Sequence, residues 1–194
     1  MFQTHKYENY NDYVKFQLKK TGDKKRQQKW LGTEWRLKID IFKNIFNDNL
    51  EIIKKCNKCL CLGSRTGQEV VAFKELGLED TIGIDLHEFK PYTVKGDIHK
   101  LNFENNVYDL QFSNILDHSI YPEKFVSEIE RTLKPKGHFI LHFQFDIHQD
   151  SFTETVITDK KNLYELFKNF KLISERKINT GIIAMNHEVI FQKI

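Results

Sequence analysis

A turn that joins an apolar run to an amphipathic helix constrains the fold of this chain most. The apolar residues 58–62 lead into a turn bounded by Gly63 and Gly67, and a helical pattern of apolar residues then runs to Gly77. A second apolar run ends at Asp85, eighteen residues after Gly67. This order is typical of a nucleotide-type cofactor site at the carboxyl edge of a parallel sheet. In such a site, amides at the helix N-terminus contact the ligand and the carboxylate accepts hydrogen bonds from a ribose diol.

The turn itself has fewer glycines than the dinucleotide-binding pattern Gly-x-Gly-x-x-Gly, because Arg65 stands where a middle glycine would lie. Two glycines in a strand-to-helix turn are also compatible with a purely structural role. The interpretation as a cofactor site therefore depends on Asp85 and on the segments that follow it.

Beyond residue 57 the sequence alternates between patterns typical of strands and of helices. Strands are predicted at 58–62, 81–85, 92–96, 107–113 and 138–143, and helices at 67–76, 122–133 and 159–169. Residues 171–194, with a turn at 179–181, predict a β-hairpin. The pattern predicts an α/β fold, a doubly wound and mostly parallel sheet closed by a C-terminal antiparallel hairpin strand.

The first part of the chain differs from the rest in both pattern and charge. Residues 1–55 are predicted to be a helical, basic N-terminal arm or cap, and residues 56–194 an α/β domain. The segment 1–38 holds ten Lys and Arg against four Asp and Glu, a net charge of +6, whereas the whole chain carries +3. Aromatic residues at Tyr13, Phe16 and Trp30 lie among the lysines.

This basic arm has three interpretations. It could be a solvated helical surface, or a cap that closes an active site over an anionic small molecule, a nucleotide sugar or a glycan. It could also bind RNA, because cations hold phosphates and aromatic rings stack on bases.

The remaining composition limits the kind of protein. Cys56, Cys59 and Cys61 lie within six residues, but no further cysteine completes a tetrathiolate set, so they are predicted to be small apolar residues and no metal site is predicted. No apolar run reaches the ~18 residues of a membrane span, and residues 1–6 lack the apolar core of a signal peptide. A cytoplasmic protein without membrane contact is expected.

Five segments, in order, resemble those of class I S-adenosylmethionine-dependent methyltransferases. They lie at 61–67, 84–86, 96–103, 108–118 and 130–137. The third is similar to the family's Gly-Asp-x-x-x-Leu-Pro-Phe stretch, and the fifth to its Arg-x-Leu-Lys-Pro-Gly-Gly stretch before the fifth strand. The resemblance covers 56–194.

The resemblance implies an enzyme that uses S-adenosylmethionine. Asp85 would accept hydrogen bonds from both ribose hydroxyls, Leu86 would pack on adenine, and Asp97 would accept a hydrogen bond from the adenine amino group. The implied cofactor-binding residues are Gly63, Ser64, Arg65, Thr66, Gly67, Asp85, Leu86, Asp97, Ile98 and Asn114.

The chain departs from the family pattern in three places. Cys61 stands where the family often carries an acidic residue that helps to hold the methionine amine. Arg65 replaces a glycine, and it could reach the methionine carboxylate or turn outward. Only twelve residues separate Asp85 from Asp97, and Pro91 lies between them, so a short loop is expected in place of a crossover helix.

His118 and Asp117, in the loop after the fourth strand, are the candidate catalytic residues. Methyl transfer from a sulfonium needs alignment in a dry pocket, and it needs a base only when the nucleophile arrives protonated. His118 could be that base for a hydroxyl or amine acceptor, or it could contact the cofactor or cap the next helix.

The expected function is methyl transfer to a small-molecule or glycan acceptor beneath the N-terminal helices. One alternative is an RNA-directed methyltransferase that uses the basic arm. The other is a catalytically inactive, methyltransferase-like binding subunit.

Overall fold

The structure is a computed structural model that describes residues 1–146 and 150–194. The helices are α1 (Tyr10–Thr21), α2 (Lys24–Leu31), α3 (Trp35–Asn47), α4 (Leu50–Ile53), α5 (Gln68–Glu75), α6 (Pro122–Thr132) and α7 (Lys160–Leu166). The strands are β1 (Phe2–Gln3), β2 (Lys58–Leu62), β3 (Asp80–Asp85), β4 (Thr93–Lys95), β5 (Tyr108–Ser113), β6 (Leu133–Phe143), β7 (Thr155–Val156), β8 (Phe170–Lys177) and β9 (His187–Lys193). Short 3-10 helices cover Leu116–His118 and Gly181–Ile183.

Seven of these strands form one sheet in the order β4-β3-β2-β5-β6-β9-β8. The strands from β4 to β6 run parallel, and β9 runs antiparallel to both β6 and β8. The predicted fold class, a mostly parallel sheet with a C-terminal antiparallel hairpin, is confirmed. The chain leaves β2 toward β3 on one side and reaches β5 on the other, so the carboxyl ends of β2 and β5 border the crevice where such sheets bind ligands.

Apolar side chains cover both faces of the sheet, as the alternation of residues along a strand requires. Leu60 and Leu62 of β2 belong to the cluster that includes residues of α6 and α7. Cys59 and Cys61 point to the opposite face and are buried in the cluster that includes residues of α3 and α5. All three cysteines are free thiols.

Three local features differ from the predicted elements. Strand β6 begins at Leu133 instead of residue 138, because Leu133 pairs with Tyr108 before the register shifts. Residues 1–55 include a short strand, β1, which pairs with β7. A 3-10 helix at Gly181–Ile183 lengthens the connection within the C-terminal hairpin. The expected short link after Asp85 is present, with β4 directly beside β3.

The N-terminal residues are fastened across the carboxyl edge of the sheet. The buried Glu154 accepts hydrogen bonds from the Tyr7 hydroxyl at 2.6 Å and from Gln17 Nε2 at 2.7 Å. The Tyr13 hydroxyl of α1 donates to the His118 carbonyl at 2.9 Å. Helix α1 is thereby held over the strand ends, and the division of the chain at residue 55 stays a prediction. Across the described residues, no helix is long and apolar enough to cross a membrane.

A buried ionic network ties the C-terminal hairpin to the rest of the fold. The Glu188 carboxylate of β9, only 1% exposed, accepts hydrogen bonds from His142 Nε2 at 2.7 Å, Arg176 Nε at 2.6 Å and Asn49 Nδ2 at 3.1 Å. Burial alone would raise the pKa of Glu188, but the hydrogen bonds from His142 and Arg176 prevail and lower it from 4.5 to about 2. The network therefore requires an ionised Glu188.

Replacing this carboxylate should destabilise the fold in a pH-dependent way. We expect Glu188→Gln to lower the free energy of unfolding by about 3 kcal/mol at pH 7, because it removes the buried carboxylate that pairs with Arg176 and His142. A lowered folded-state pKa stabilises the fold above the ordinary value of 4.5 and ceases to do so as the pH falls toward 2. The difference from the wild type should therefore be smaller at pH 3, as measured by urea denaturation followed by circular dichroism.

The control is Glu175→Gln on β8, where an exposed carboxylate pairs with Lys160, and where the change should cost less than about 1 kcal/mol. Equal losses of stability in the two variants would contradict this role for Glu188.

Candidate functional site

Two adjoining cavities lie at the carboxyl ends of β2, β3 and β5. The first cavity, of about 60 Å³, lies between α1, the turn after β2, the end of β3 and residues 96–98. The second cavity, of about 400 Å³, extends from the same turn toward α2, α3 and the hairpin connection. The residues that line both cavities are Lys20, Gly63, Arg65, Ile115 and His118. The two cavities therefore form one elongated site.

Most of the predicted cofactor residues meet in this site. The first cavity is lined by Gly63, Arg65, Asp85, Leu86, Asp97 and Ile98. Ser64 and Asn114 line the second cavity. Thr66 and Gly67 belong to the turn but, within the described structure, line neither cavity. The buried Thr66 hydroxyl donates to Gln68 Oε1 at 2.6 Å.

The two glycines of the turn are required by both conformation and space. Gly63 and Gly67 have positive φ angles of 73° and 87°. A Cβ atom at Gly63 would lie 2.2 Å from Ile115 Cγ1, and one at Gly67 would lie 2.5 Å from Tyr92 Cβ. No larger residue fits at either position without displacing its neighbour, and Gly63 borders both cavities.

The amides of the turn are used differently from the sequence-based expectation. The N–H groups of Gly63 and Ser64 both donate to the Ile84 carbonyl, at 2.8 Å and 3.1 Å, and the Gly67 N–H donates to the Ser64 carbonyl at 2.7 Å. The Arg65 N–H donates to Asp85 Oδ2 at 2.9 Å. All four N–H groups are therefore already used within the protein: three bind β3 and one closes the turn.

Asp85 remains able to accept hydrogen bonds from a ligand. Its Oδ2 receives the Arg65 N–H and its Oδ1 receives the His87 N–H at 3.3 Å, and the side chain lines the first cavity, where a carboxylate oxygen can accept more than one hydrogen bond. Burial raises the pKa of Asp85, and the hydrogen bond from Arg65 opposes that shift. The arrangement suits a diol that donates to both oxygens.

Arg65 points into the site. Its guanidinium lies over the ring of the buried Trp30, 4.4 Å from the centroid, and it lines both cavities. Such a cation–π contact fixes the side chain without neutralising its charge. Of the two orientations considered from the sequence, the outward one is not adopted.

Asp97 connects the first cavity to α1. Its Oδ2 accepts a hydrogen bond from the Tyr10 hydroxyl at 2.6 Å, and its Oδ1 accepts the His99 N–H at 2.8 Å. Burial opposes ionisation, but the hydrogen bonds from His99 and Tyr10 lower the pKa of Asp97. Leu86 and Ile98 provide the apolar surface beside it.

His118 lies at the junction of the two cavities. Its Nδ1 is 2.7 Å from the Phe152 carbonyl, which can only accept, so Nδ1 carries the proton and Nε2 keeps the lone pair. Lys20 Nζ lies 3.1 Å from that Nε2 and pairs with Asp150 at 2.8 Å. Asp117 Oδ2 is 3.6 Å from the same Nε2. In the described structure, Asp117 is buried beside His118 and lines neither cavity.

Several site residues were not among the predicted cofactor-binding or catalytic residues. Lys20, Trp30 and Lys38 of the N-terminal helices line the second cavity, as does Glu69 in the first turn of α5. The pair Gln68-Glu69 directly precedes the buried Val70, and this break in an apolar pattern was the only signal for Glu69. The placement of Lys20 depends on long-range contacts that no local pattern contains.

Comparison with known proteins agrees with this geometry. Residues 60–141 match the family described as "Methyltransferase domain". The matched range contains all five segments on which the sequence-based resemblance rests. No sequence among the curated proteins matches the chain.

Solved structures with the same fold are distant in sequence. A 1,6-didemethyltoxoflavin-N1-methyltransferase of Burkholderia thailandensis, with bound 1,6-didemethyltoxoflavin and S-adenosylhomocysteine, has a TM-score of 0.71 and 14% identity over 98% of this chain and 92% of its own. A SAM-dependent methyltransferase of Archaeoglobus fulgidus has a TM-score of 0.65 and 15% identity over 88% of this chain and 100% of its own. A SAM-dependent methyltransferase of Aquifex aeolicus has a TM-score of 0.60 and 13% identity over 78% of this chain and 89% of its own.

The match of residues 60–141 to a methyltransferase domain agrees with the predicted enzyme class and cofactor, and the solved structures share the predicted fold. The residues present fit S-adenosylmethionine: the Asp85 carboxylate lines the first cavity, and a Cβ at Gly63 would overlap Ile115 where both residues border the two cavities.

Removing the charge of Asp85 should weaken cofactor binding specifically. We expect Asp85→Asn to raise the Kd for S-adenosylhomocysteine about 10-fold to 100-fold, because hydrogen bonds to a charged acceptor contribute roughly 1.5–3 kcal/mol each. Isothermal titration calorimetry measures the change. Asp80→Asn, at the exposed opposite end of the same strand, is the matched control and should leave the Kd unchanged. Equal affinities of Asp85→Asn and the wild type would show that the ribose lies elsewhere.

Proposed function

We propose that this class I S-adenosylmethionine-dependent methyltransferase methylates a small anionic acceptor that binds in the second cavity beneath the N-terminal helices. The observation that carries the proposal is the continuity of the two cavities through Gly63, Ile115 and His118. A cofactor with its adenosine at the first cavity would place its sulfonium near this junction.

The proposed cofactor contacts follow from the linings of the cavities. Asp85 accepts hydrogen bonds from the ribose diol, and Leu86 and Ile98 flank the adenine. Asp97 accepts a hydrogen bond from the adenine amino group. Arg65 pairs with the methionine carboxylate, because its guanidinium carries a full charge beside the turn. When bound, S-adenosylmethionine supplies an electrophilic methyl group on a positively charged sulfur.

The surrounding residues mainly align the acceptor and exclude water. Ile115, Trp30 and Phe42 give the second cavity apolar walls, and α1 and α2 cover it. Displacement at a sulfonium disperses charge, so a dry and rigid environment favours the reaction without an acid or a metal.

His118 is the proposed base for an acceptor that arrives protonated. Its Nε2 carries the lone pair, and Lys20 now donates to that atom. An acceptor with an anionic group could draw the Lys20 ammonium to itself and free Nε2 for the acceptor's hydroxyl or amine proton. Asp117 acts through His118, because it lies beside the ring and outside both cavities.

The charge around the second cavity supports an anionic acceptor. Its lining contains the cations Lys20, Arg26, Lys29, Lys38 and Arg65. Lys29 and Lys38 share the carboxylate of Glu34, at 2.8 Å and 2.7 Å, while Arg26 and Arg65 lie over aromatic rings. The cations therefore outnumber the ionised carboxylates, and a carboxylate or phosphate on the acceptor would complete the balance.

Two further observations agree with a small acceptor. The similar Burkholderia thailandensis enzyme has 1,6-didemethyltoxoflavin bound together with S-adenosylhomocysteine. Lys20 and Lys38 of the basic arm line the cavity in partly buried ion pairs with Asp150 and Glu34, which leaves them little surface for a polynucleotide. The three free thiols suit a reducing compartment such as the cytoplasm.

The acceptor class can be tested with labelled cofactor. We expect enzyme supplied with methyl-labelled S-adenosylmethionine and a fractionated cell extract to label compounds that pass a small-pore filter and bind an anion-exchange resin. Label in the RNA fraction would favour the RNA-directed alternative and contradict a small acceptor. Binding of S-adenosylhomocysteine without label in any fraction would favour the inactive binding subunit.

The role of His118 is tested by His118→Ala in the same assay. Loss of a positioned base should reduce the labelling rate about 100-fold or more, while the Kd for S-adenosylhomocysteine stays within a factor of two or so. His138→Ala, on the sheet away from both cavities, is the control and should keep the full rate. Full turnover by His118→Ala would remove the base from the mechanism.

A further inference from the structure

Glu69 is a buried carboxyl group that faces the second cavity without a partner. It lies in the first turn of α5, is 4% exposed, and lines the cavity beside Ser64 and Arg65. Among the described residues its carboxyl accepts only its own backbone N–H and makes no side-chain hydrogen bond or ion pair. A buried ionisable group usually has a partner, so a lone one that borders a ligand cavity is a candidate for ligand contact.

The groups that face Glu69 come from four elements. They are Cys61 on β2, Arg65 on the turn, Lys38 on α3 and Asp85 on β3. Burial raises the pKa of Glu69 to about 8, although the positive charges of Arg65 and Lys38 oppose the shift. In the free protein Glu69 is therefore mainly protonated at neutral pH.

Cys61 provides no charge at this end of the site. Burial raises the pKa of its thiol well above the usual value, so it stays neutral. The carboxylate that related enzymes often place at this position is thus absent from β2, while Glu69 places a carboxyl group beside the same strand end.

We propose that Glu69 binds the α-ammonium group of the methionine portion of the cofactor. Arg65, across the same turn, binds the α-carboxylate, so that two opposite charges of the protein recognise the two charges of the amino acid. The inference rests on the proposed placement of the cofactor, with the adenosine in the first cavity. The residue that binds the ammonium group would then lie in the first turn of α5, at Glu69, and not on β2, at Cys61.

A change in protonation should accompany binding. An ammonium beside Glu69 favours the ionised form, so binding of S-adenosylhomocysteine at pH 7 should release a proton from this group. The release should diminish well above the pKa of about 8, where Glu69 is already ionised.

The test uses two ligands that differ only at the amino acid end. Calorimetry would compare S-adenosylhomocysteine with 5'-methylthioadenosine, which lacks both the ammonium and the carboxylate. We expect Glu69→Gln to raise the Kd for S-adenosylhomocysteine at least about tenfold and to change the Kd for methylthioadenosine by no more than about twofold. The variant should also lose the buffer-dependent heat that reports proton release at pH 7. Glu75→Gln, on the exposed end of the same helix, is the control and should change neither Kd.

The possible outcomes separate the role of Glu69 from the proposed placement of the cofactor. Glu69→Gln resembles the protonated residue in shape, so its melting temperature should match that of the wild type. Unchanged affinity for S-adenosylhomocysteine, or an equal loss for both ligands, would overturn the role of Glu69. If methylthioadenosine fails to bind the wild type, or binds Asp85→Asn equally well, the proposed cofactor placement fails instead.

Discussion

The hydrogen bond from the Arg65 N–H to the Asp85 carboxylate joins the turn after β2 to the end of β3, and the site depends on it. It holds Arg65 in a left-handed backbone conformation, with a φ of 47°, which costs a residue with a Cβ about 1–2 kcal/mol. The stack of its guanidinium on Trp30 helps to offset that cost. One residue thereby orders the ribose acceptor through its backbone and offers a cation to the amino acid end through its side chain.

The N-terminal helices complete the site that this turn begins. Tyr10 donates to Asp97 and Lys20 donates to His118, so α1 contacts the first cavity and the junction of the two cavities. These contacts use the groups proposed to hold the adenine and to deprotonate the acceptor. The basic character of the arm, which the sequence alone left open to three interpretations, is directed in part toward the interior of the site.

The sequence predicted the features that are fixed by interactions between residues close together along the chain. The strand periods, the glycines at 63 and 67 and the carboxylate of Asp85 were all identified, because each is fixed by neighbours along the chain or by the space that the turn allows. The start of β6 and the partner of His118 could not be predicted, since both depend on contacts between distant segments. Cys61 shows the limit most clearly: its sequence position indicated a missing acidic group, but only the packing of α5 revealed Glu69 beside it.

A crystal structure of the protein with S-adenosylhomocysteine tests the central claim most directly. The account predicts both ribose hydroxyls within hydrogen-bond distance of Asp85, about 2.6–3.2 Å, with the amino acid end lying between Arg65 and Glu69 and the sulfur facing the second cavity. A ligand bound outside the two cavities, or one whose ribose lies away from Asp85, would contradict it.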